Sequence, residues 1–101
     1  MFRMSDTFPN LQGFCGSYFH QDWGLDDPTA EAVVDRYICD ATPEEVQQLA
    51  SEIATFLRLE MSEKERAAVL DGFGCGYYPP GDGVSYSEWP RQVHKLLIGE
   101  R

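Results

Sequence analysis

Residues 74–89 constrain the fold more than any other segment of this chain. Their sequence, GCGYYPPGDGVSYSEW, holds four glycines and two prolines among sixteen residues. That composition excludes a helix or a central strand over most of the segment. Four aromatic residues also distinguish it from a solvated linker. We therefore expect an ordered loop whose rings hold it against a core, with the aromatic residues of segment 18–23 (YFHQDW) on the other side of the contact.

Hydrophobic residues recur at helical spacing in five segments, and no strand-like alternation competes with them. The first predicted helix begins at Pro9, and the second covers residues 28–41. The other three follow the predicted caps Thr42, Ser62 and Ser87. Thr42 and Ser62 each precede a glutamate by three residues, which is the capping-box pattern. Short connections between amphipathic helices predict an all-α domain of about five antiparallel helices, with the Gly/Pro/aromatic loop before the last one.

The 101 residues are enough for one domain, and 43% hydrophobic content argues against a disordered chain. We expect a single domain over residues 1–101, in which residues 1–7 form a flexible N-terminus. Cys15, Cys39 and Cys75 cannot all pair with one another, and their spacing matches no zinc module. The start of the sequence does not resemble a signal peptide, and no apolar run is long enough for a membrane span. The predicted location is the cytoplasm, with free thiols.

The net charge is −9 and is unevenly distributed. Residues 22–71 contain thirteen of the seventeen acidic residues but only four of the eight basic ones, so this segment carries the whole excess. Such a field repels nucleic acids and anionic membranes and attracts basic proteins. The alternative interpretation is an acidic surface that serves solubility alone.

Catalysis has little support in this sequence. His20 and Asp22 lie close together in the sequence, and His94 lies far from them. A histidine, an aspartate and a cysteine can form a hydrolytic site in other proteins. However, the chain has no nucleophile elbow and no cysteine-protease signature. His20 fits better as a residue that fixes the turn after the first helix. We therefore predict no enzyme activity, no catalytic residue, no metal site and no cofactor.

Three segments together resemble the signature of a bacterial immunity family. They are residues 8–11 (FPNL), residues 18–23 and residues 74–89. The family is the small CdiI-type family of contact-dependent growth inhibition systems, and the resemblance extends from about residue 8 to residue 97. It implies an all-α cytosolic protein that binds the C-terminal toxin domain of a CdiA-type effector and blocks it. Such toxins are often nucleases that act on tRNA or other nucleic acids.

On this resemblance, the predicted function is that of a stoichiometric toxin inhibitor, or antitoxin, and an acidic face suits a basic nuclease. The alternatives are an acidic adaptor that docks a basic protein without inhibiting it, and a small hydrolase. The predicted partner-binding residues are acidic and polar side chains of two helices and the tip of the loop: Asp27, Glu31, Asp35, Glu44, Gln48, Glu52, Tyr77, Tyr78 and Asp82.

Within this set, the loop residues could imitate a phosphate beside a stacked base, or the loop could be scaffold while the helical acids make the contact. The signature segments themselves are candidates for scaffold. The predicted structural residues are Tyr18, His20, Asp22, Trp23, Tyr86 and Trp89. Trp23 and Trp89 are expected to be largely buried, because large rings supply much of the burial in a small domain.

Overall fold

The computed structural model describes residues 7–21, 23–26 and 28–99. Six α-helices and one 3-10 helix occupy these ranges: α1 (Pro9–Tyr18), α2 (Trp23–Asp26), α3 (Ala30–Asp40), α4 (Pro43–Arg58), α5 (Glu63–Gly72), a 3-10 helix (Pro79–Asp82) and α6 (Glu88–Leu97). No strand occurs in the described ranges, so the all-α fold class is confirmed. The predicted flexible N-terminus lies, apart from Thr7, outside the described residues.

The five predicted helices are present, and two shorter elements were not predicted. One is α2, a single turn of four residues, and the other is the 3-10 helix that begins at Pro79. A single turn is too short to display hydrophobic periodicity, and the two prolines suggested only a loop.

The helix caps were predicted well where the capping partners are local. Thr42 accepts the backbone N–H of Glu45 at 3.1 Å, and the Glu45 carboxylate accepts the backbone N–H of Thr42 at 2.9 Å. Ser62 and Glu65 form the same reciprocal pair at the start of α5. Both capping boxes satisfy N–H groups that the first helical turn would leave without partners.

Two helix starts differ from prediction. The helix expected over residues 28–41 begins at Ala30, because Thr29 serves as the cap and accepts the backbone N–H of Ala32 at 3.1 Å. Ser87 occupies the cap position of α6, but its side chain does not cap the helix. Instead, the hydroxyl of Ser85 accepts the backbone N–H of Glu88 at 2.9 Å.

The hydrophobic core lies where α4 packs against α1 and α6, and where α3 packs against α6. Phe8, Leu49, Ile53 and Phe56 are almost completely buried there. The rings of Phe8 and Phe56 meet edge to face, with their centroids 5.8 Å apart. This packing fixes α1 and α6 against the long helix α4 and so sets the position of the loop that connects α5 to α6.

A buried arginine holds the turn between α4 and α5. The guanidinium of Arg66 donates to the backbone carbonyl of Phe56 at 3.0 Å and to that of Leu59 at 2.8 Å. The last carbonyls of a helix have no partner within the helix, so Arg66 satisfies the end of α4 from the next helix. All three cysteines carry free thiols: Cys15 is buried, Cys75 half-buried and Cys39 exposed.

Candidate partner-binding surface

The aromatic loop, residues 74–86, is held in place by the ring of Tyr77. This ring lies 5.7 Å from Phe19, 5.4 Å from Trp23 and 5.0 Å from Trp89, measured between centroids. The Tyr77 hydroxyl donates to the Asp82 carboxylate at 2.7 Å. Burial, reinforced by this carboxylate, raises the pKa of Tyr77 well above its ordinary value. The expected contact between the aromatic loop and the rings of segment 18–23 is therefore present.

Gly76 brings the start of the aromatic loop into backbone contact with the turn after α1. Its N–H donates to the carbonyl of Phe19 at 2.5 Å. A Cβ atom at this position would lie 2.8 Å from the His20 carbonyl oxygen and 2.9 Å from the Cα of Gln21. Such distances are too short for a side chain, so only glycine permits this approach.

Tyr78 points away from the core, in contrast to its neighbour. It is 64% exposed, and its ring lies edge-on to Tyr86 with the centroids 6.5 Å apart. The adjacent Pro79 is buried and begins the 3-10 helix, whose turn includes Gly81. The aromatic loop thus presents one ring to solvent from a backbone that the core fixes.

The predicted structural residues Tyr18 and Trp89 lie in ring clusters. Tyr18 packs edge to face on Tyr37 with the centroids 5.1 Å apart, and its hydroxyl donates to Asp40 at 3.2 Å. Burial and the Asp40 carboxylate raise the pKa of Tyr18. Trp89 is 4% exposed, whereas Trp23 is half-buried although its ring contacts the same cluster.

Tyr86 is half-buried, and Glu63 holds the backbone around it. The Glu63 carboxylate accepts the N–H of Tyr86 at 2.7 Å and the hydroxyl of Ser87. His20 is half-buried in the turn between α1 and α2, where its carbonyl accepts the N–H of Trp23 at 3.0 Å. Asp22, predicted to be structural, lies outside the described residues.

The residues predicted to bind a partner do not share one environment. Glu31, Glu44, Gln48, Tyr78 and Asp82 are exposed, and Asp35 is half-buried. Asp27 lies outside the described residues. Glu31 lines a groove of about 300 Å³ between α3 and α6, and the edge of Tyr77 reaches the same groove.

Tyr77 and Glu52, by contrast, already have contacts within the protein. Tyr77 is 7% exposed and its ring is part of the core. The Glu52 carboxylate accepts the backbone N–H groups of Asn10 and Leu11, each at 3.0 Å, and so caps α1. We therefore assign both side chains to the scaffold. Asp82 is exposed but also accepts the Tyr77 hydroxyl, so one of its oxygens holds the aromatic loop.

Many acidic residues turn out to be internal hydrogen-bond acceptors, which the charge pattern alone does not reveal. Five that act in this way within residues 22–71 are Asp40, Glu45, Glu52, Glu63 and Glu65. The side chains of Glu44, Glu60, Asp71 and Glu88 are exposed and make no hydrogen bond with the residues that the structure describes. These four remain available to an external partner.

Asp71 is a candidate that sequence reasoning missed. Together with Tyr78 and Tyr86 it lines a pocket of about 250 Å³ at the junction of α5 and the aromatic loop. The sequence offered no signal for it, because Asp71 belongs to a helix and the two tyrosines to a loop of irregular backbone. Only the docking of that loop brings them together.

Within the described ranges, no group of three or more histidine, cysteine, aspartate or glutamate residues could hold a metal ion. Among the helices of the described residues, none has the length and apolar character needed to cross a membrane.

The described residues thus form a small all-α domain with an aromatic loop fixed against its core. The chain matches the family of CdiI immunity proteins over residues 7–97, and it belongs to that family. Among solved structures, a chain in the crystal structure of a CdiA-CT/CdiI complex from Y. kristensenii 33638 is similar, with a TM-score of 0.84 and 28% sequence identity. The similarity covers 90% of this chain and 98% of that one. No curated protein matches the chain.

Proposed function

We propose that this protein binds the C-terminal toxin domain of a CdiA-type effector and neutralises it as a stoichiometric inhibitor, without catalysis of its own. The observation that carries the proposal is the similarity to a chain of a CdiA-CT/CdiI complex, which extends over nearly the full length of both chains at 28% identity. We propose the cytoplasm as the place of the encounter, where three free thiols would remain reduced.

The toxin domain is proposed to be a basic nuclease. A net charge of −9 supports this part of the proposal, because an acidic inhibitor is attracted to a surface that binds nucleic acid. The inhibitor would occupy the substrate cleft or bind beside it and exclude the substrate. The same charge also disfavours direct binding of this protein to nucleic acid.

The proposed direct contacts are the exposed or half-exposed members of the predicted set, together with Asp27: Glu31, Asp35, Glu44, Gln48, Tyr78 and Asp82. Tyr77 contributes indirectly, since its hydroxyl positions Asp82. Glu52 also contributes indirectly, because its carboxylate caps α1. If the aromatic loop imitates a nucleotide, Tyr78 is the ring that can stack and Asp82 the carboxylate that can stand for phosphate.

Co-expression of this protein with the toxin domain encoded beside it tests the proposal. Cells that produce the toxin domain should stop growing, and cells that also produce this protein should grow. A matched control is an immunity protein of the same family from another system. Growth arrest in spite of abundant folded protein would contradict the inhibitor function.

The nuclease assignment needs a separate measurement. Purified toxin domain should degrade RNA or DNA, and an equimolar amount of this protein should stop the degradation. If the toxin domain arrests growth without cleaving nucleic acid, and this protein still restores growth, the nuclease part is wrong while the inhibitor function stands.

A further inference from the structure

We propose that Asp71, Tyr78 and Tyr86 form a receptor for an arginine side chain of the toxin domain, an inference that rests on the proposed function. The three residues line one pocket of about 250 Å³. Its floor includes the buried side chains of Leu70 and Tyr77, and the exposed Asp71 and Tyr78 stand at its rim. The pocket is large enough for the head of one long side chain and too small for a folded element.

The ring of Tyr78 is exposed but held in a defined position. A Cβ atom on Gly81 would lie 3.3 Å from Cδ2 of Tyr78, so the ring lies against the backbone of the 3-10 turn. The Tyr78 carbonyl accepts the N–H of Gly81 at 3.0 Å, and the Tyr86 ring meets Tyr78 edge to face. Little conformational entropy remains to be lost when a partner binds this ring. Fixed, exposed tyrosines of this kind are frequent anchors of protein interfaces.

The electrostatics of the pocket favour a cation. The Asp71 carboxylate is exposed and makes no hydrogen bond or ion pair with the part of the chain that the structure describes. Among the described residues that line the pocket, none is basic. Burial, together with the neighbouring Tyr78, Cys75 and Asp71, raises the pKa of Tyr86, which agrees with a site that disfavours added negative charge.

Arginine fits this chemistry better than lysine. Its planar guanidinium can stack on the face of Tyr78 while its N–H groups donate to both oxygens of Asp71. Lysine offers a point charge without a plane to stack. An anionic group would be repelled by Asp71 and by the net charge of −9.

Binding of the cognate toxin domain to four variants, measured by titration calorimetry, tests the inference. We expect Tyr78→Ala and Asp71→Asn each to raise the Kd roughly tenfold or more, the loss typical of an interface anchor. Tyr78→Phe should stay within about twofold of the parent, because cation–ring attraction does not need the hydroxyl. Glu60→Gln is the matched charge control, since Glu60 is exposed, makes no hydrogen bond with the described residues and does not line the pocket.

The outcomes separate this inference from the proposed function. If the parent binds the toxin domain and both Tyr78→Ala and Asp71→Asn bind as tightly, the receptor is overturned and the inhibitor function stands. If Glu60→Gln weakens binding as much as Asp71→Asn, the effect is one of net charge and the receptor is again overturned. If the parent itself neither binds nor protects, the proposed function fails. Thermal unfolding of each variant excludes misfolding as the cause of a loss.

Discussion

The carboxylate of Glu52 accepts the backbone N–H of Asn10 at 3.0 Å, although the two residues lie 42 positions apart. Phe8 stands at the cap position of α1, and a phenylalanine side chain cannot accept a hydrogen bond there. Glu52 therefore supplies from α4 the cap that α1 lacks, and its negative charge faces the positive end of the α1 dipole. An acidic residue that the charge pattern assigns to a partner interface thus serves the tertiary fold.

Replacement of Glu52 by alanine should lower the free energy of unfolding by about 1–2 kcal/mol, the usual cost of a lost helix cap. Gln48→Ala is the control, because Gln48 is exposed on the same helix, and its effect should stay within about 0.5 kcal/mol. Urea denaturation measures both. Equal effects of the two substitutions would show that the Glu52 contact contributes nothing to stability.

The sequence predicts those features whose partners are local. Thr42 with Glu45 and Ser62 with Glu65 are three residues apart, so each capping box is visible as a pattern. The aromatic loop is also visible, since its composition leaves no regular element that could contain it. Hydrophobic periodicity predicts the remaining α-helices except the single turn α2, and it does not predict the 3-10 helix.

Long-range contacts between polar side chains are not visible in this way. Glu52 bonds to the start of α1, Glu63 to the end of the aromatic loop and Arg66 to the end of α4. The partner of each side chain depends on how the helices pack. The same limit applies to the candidate surface. Tyr77 and Tyr78 are adjacent and chemically identical, and only the docking of the loop decides that the first is buried and the second exposed.

Gly76 and Gly13 form a matched pair for a prediction about backbone contact. Gly76→Ala should cost about 1–3 kcal/mol, because its Cβ would overlap the backbone of His20 and Gln21. Gly13→Ala should instead stabilise the protein by about 0.5–1 kcal/mol, since the site lies within α1 and a Cβ there meets no atom within 4 Å. Chemical denaturation of the two variants measures the effects. A Gly76→Ala protein as stable as the parent would mean that the loop does not dock on the turn after α1.

Removal of Arg66 should be among the most damaging substitutions on α5. Arg66→Ala removes a charged donor from the carbonyls of Phe56 and Leu59, each of which keeps one backbone N–H. The loss should cost about 2–3 kcal/mol, because hydrogen bonds made by charged groups contribute more than neutral ones. Arg58→Ala is the control, because Arg58 ends α4 but is exposed, and it should cost about 0.5 kcal/mol through the helix dipole. Thermal and urea unfolding should rank the two variants in this order, and the reverse order would contradict the buried role of Arg66.

The two capping boxes predict how the free energy of unfolding changes at acidic pH. Hydrogen bonds from the backbone and side chain of Thr42 lower the pKa of Glu45, and those of Ser62 lower the pKa of Glu65. A carboxylate with a lowered folded-state pKa stabilises the protein above the unfolded-state value, about 4.3, and loses that contribution as the pH falls through the folded-state value. Stability should therefore decline below about pH 4.3.

The double variant Glu45→Gln/Glu65→Gln provides the test of this linkage. Glutamine keeps an acceptor for the cap but does not titrate, so the acid decline should be less steep than in the parent. The control is Glu44→Gln/Glu60→Gln, which should follow the parent curve, because both carboxylates are exposed and form no hydrogen bond within ranges 7–21, 23–26 and 28–99. Urea unfolding from pH 3 to pH 7 measures all three proteins, and an unchanged slope in the first variant would exclude the capping boxes as the source.

The charge of the helices should govern how fast the toxin domain is captured. Exposed charges at an interface rim act mainly on the association rate and on its dependence on salt. The double substitution Glu31→Gln/Asp35→Asn should therefore lower the association rate at low ionic strength and flatten its decline with salt, while the dissociation rate changes little. Glu44→Gln/Gln48→Ala examines α4 separately. Stopped-flow mixing at several salt concentrations measures these rates. If neither variant alters them, the charges of α3 and α4 serve only solubility and the contact must be sought elsewhere.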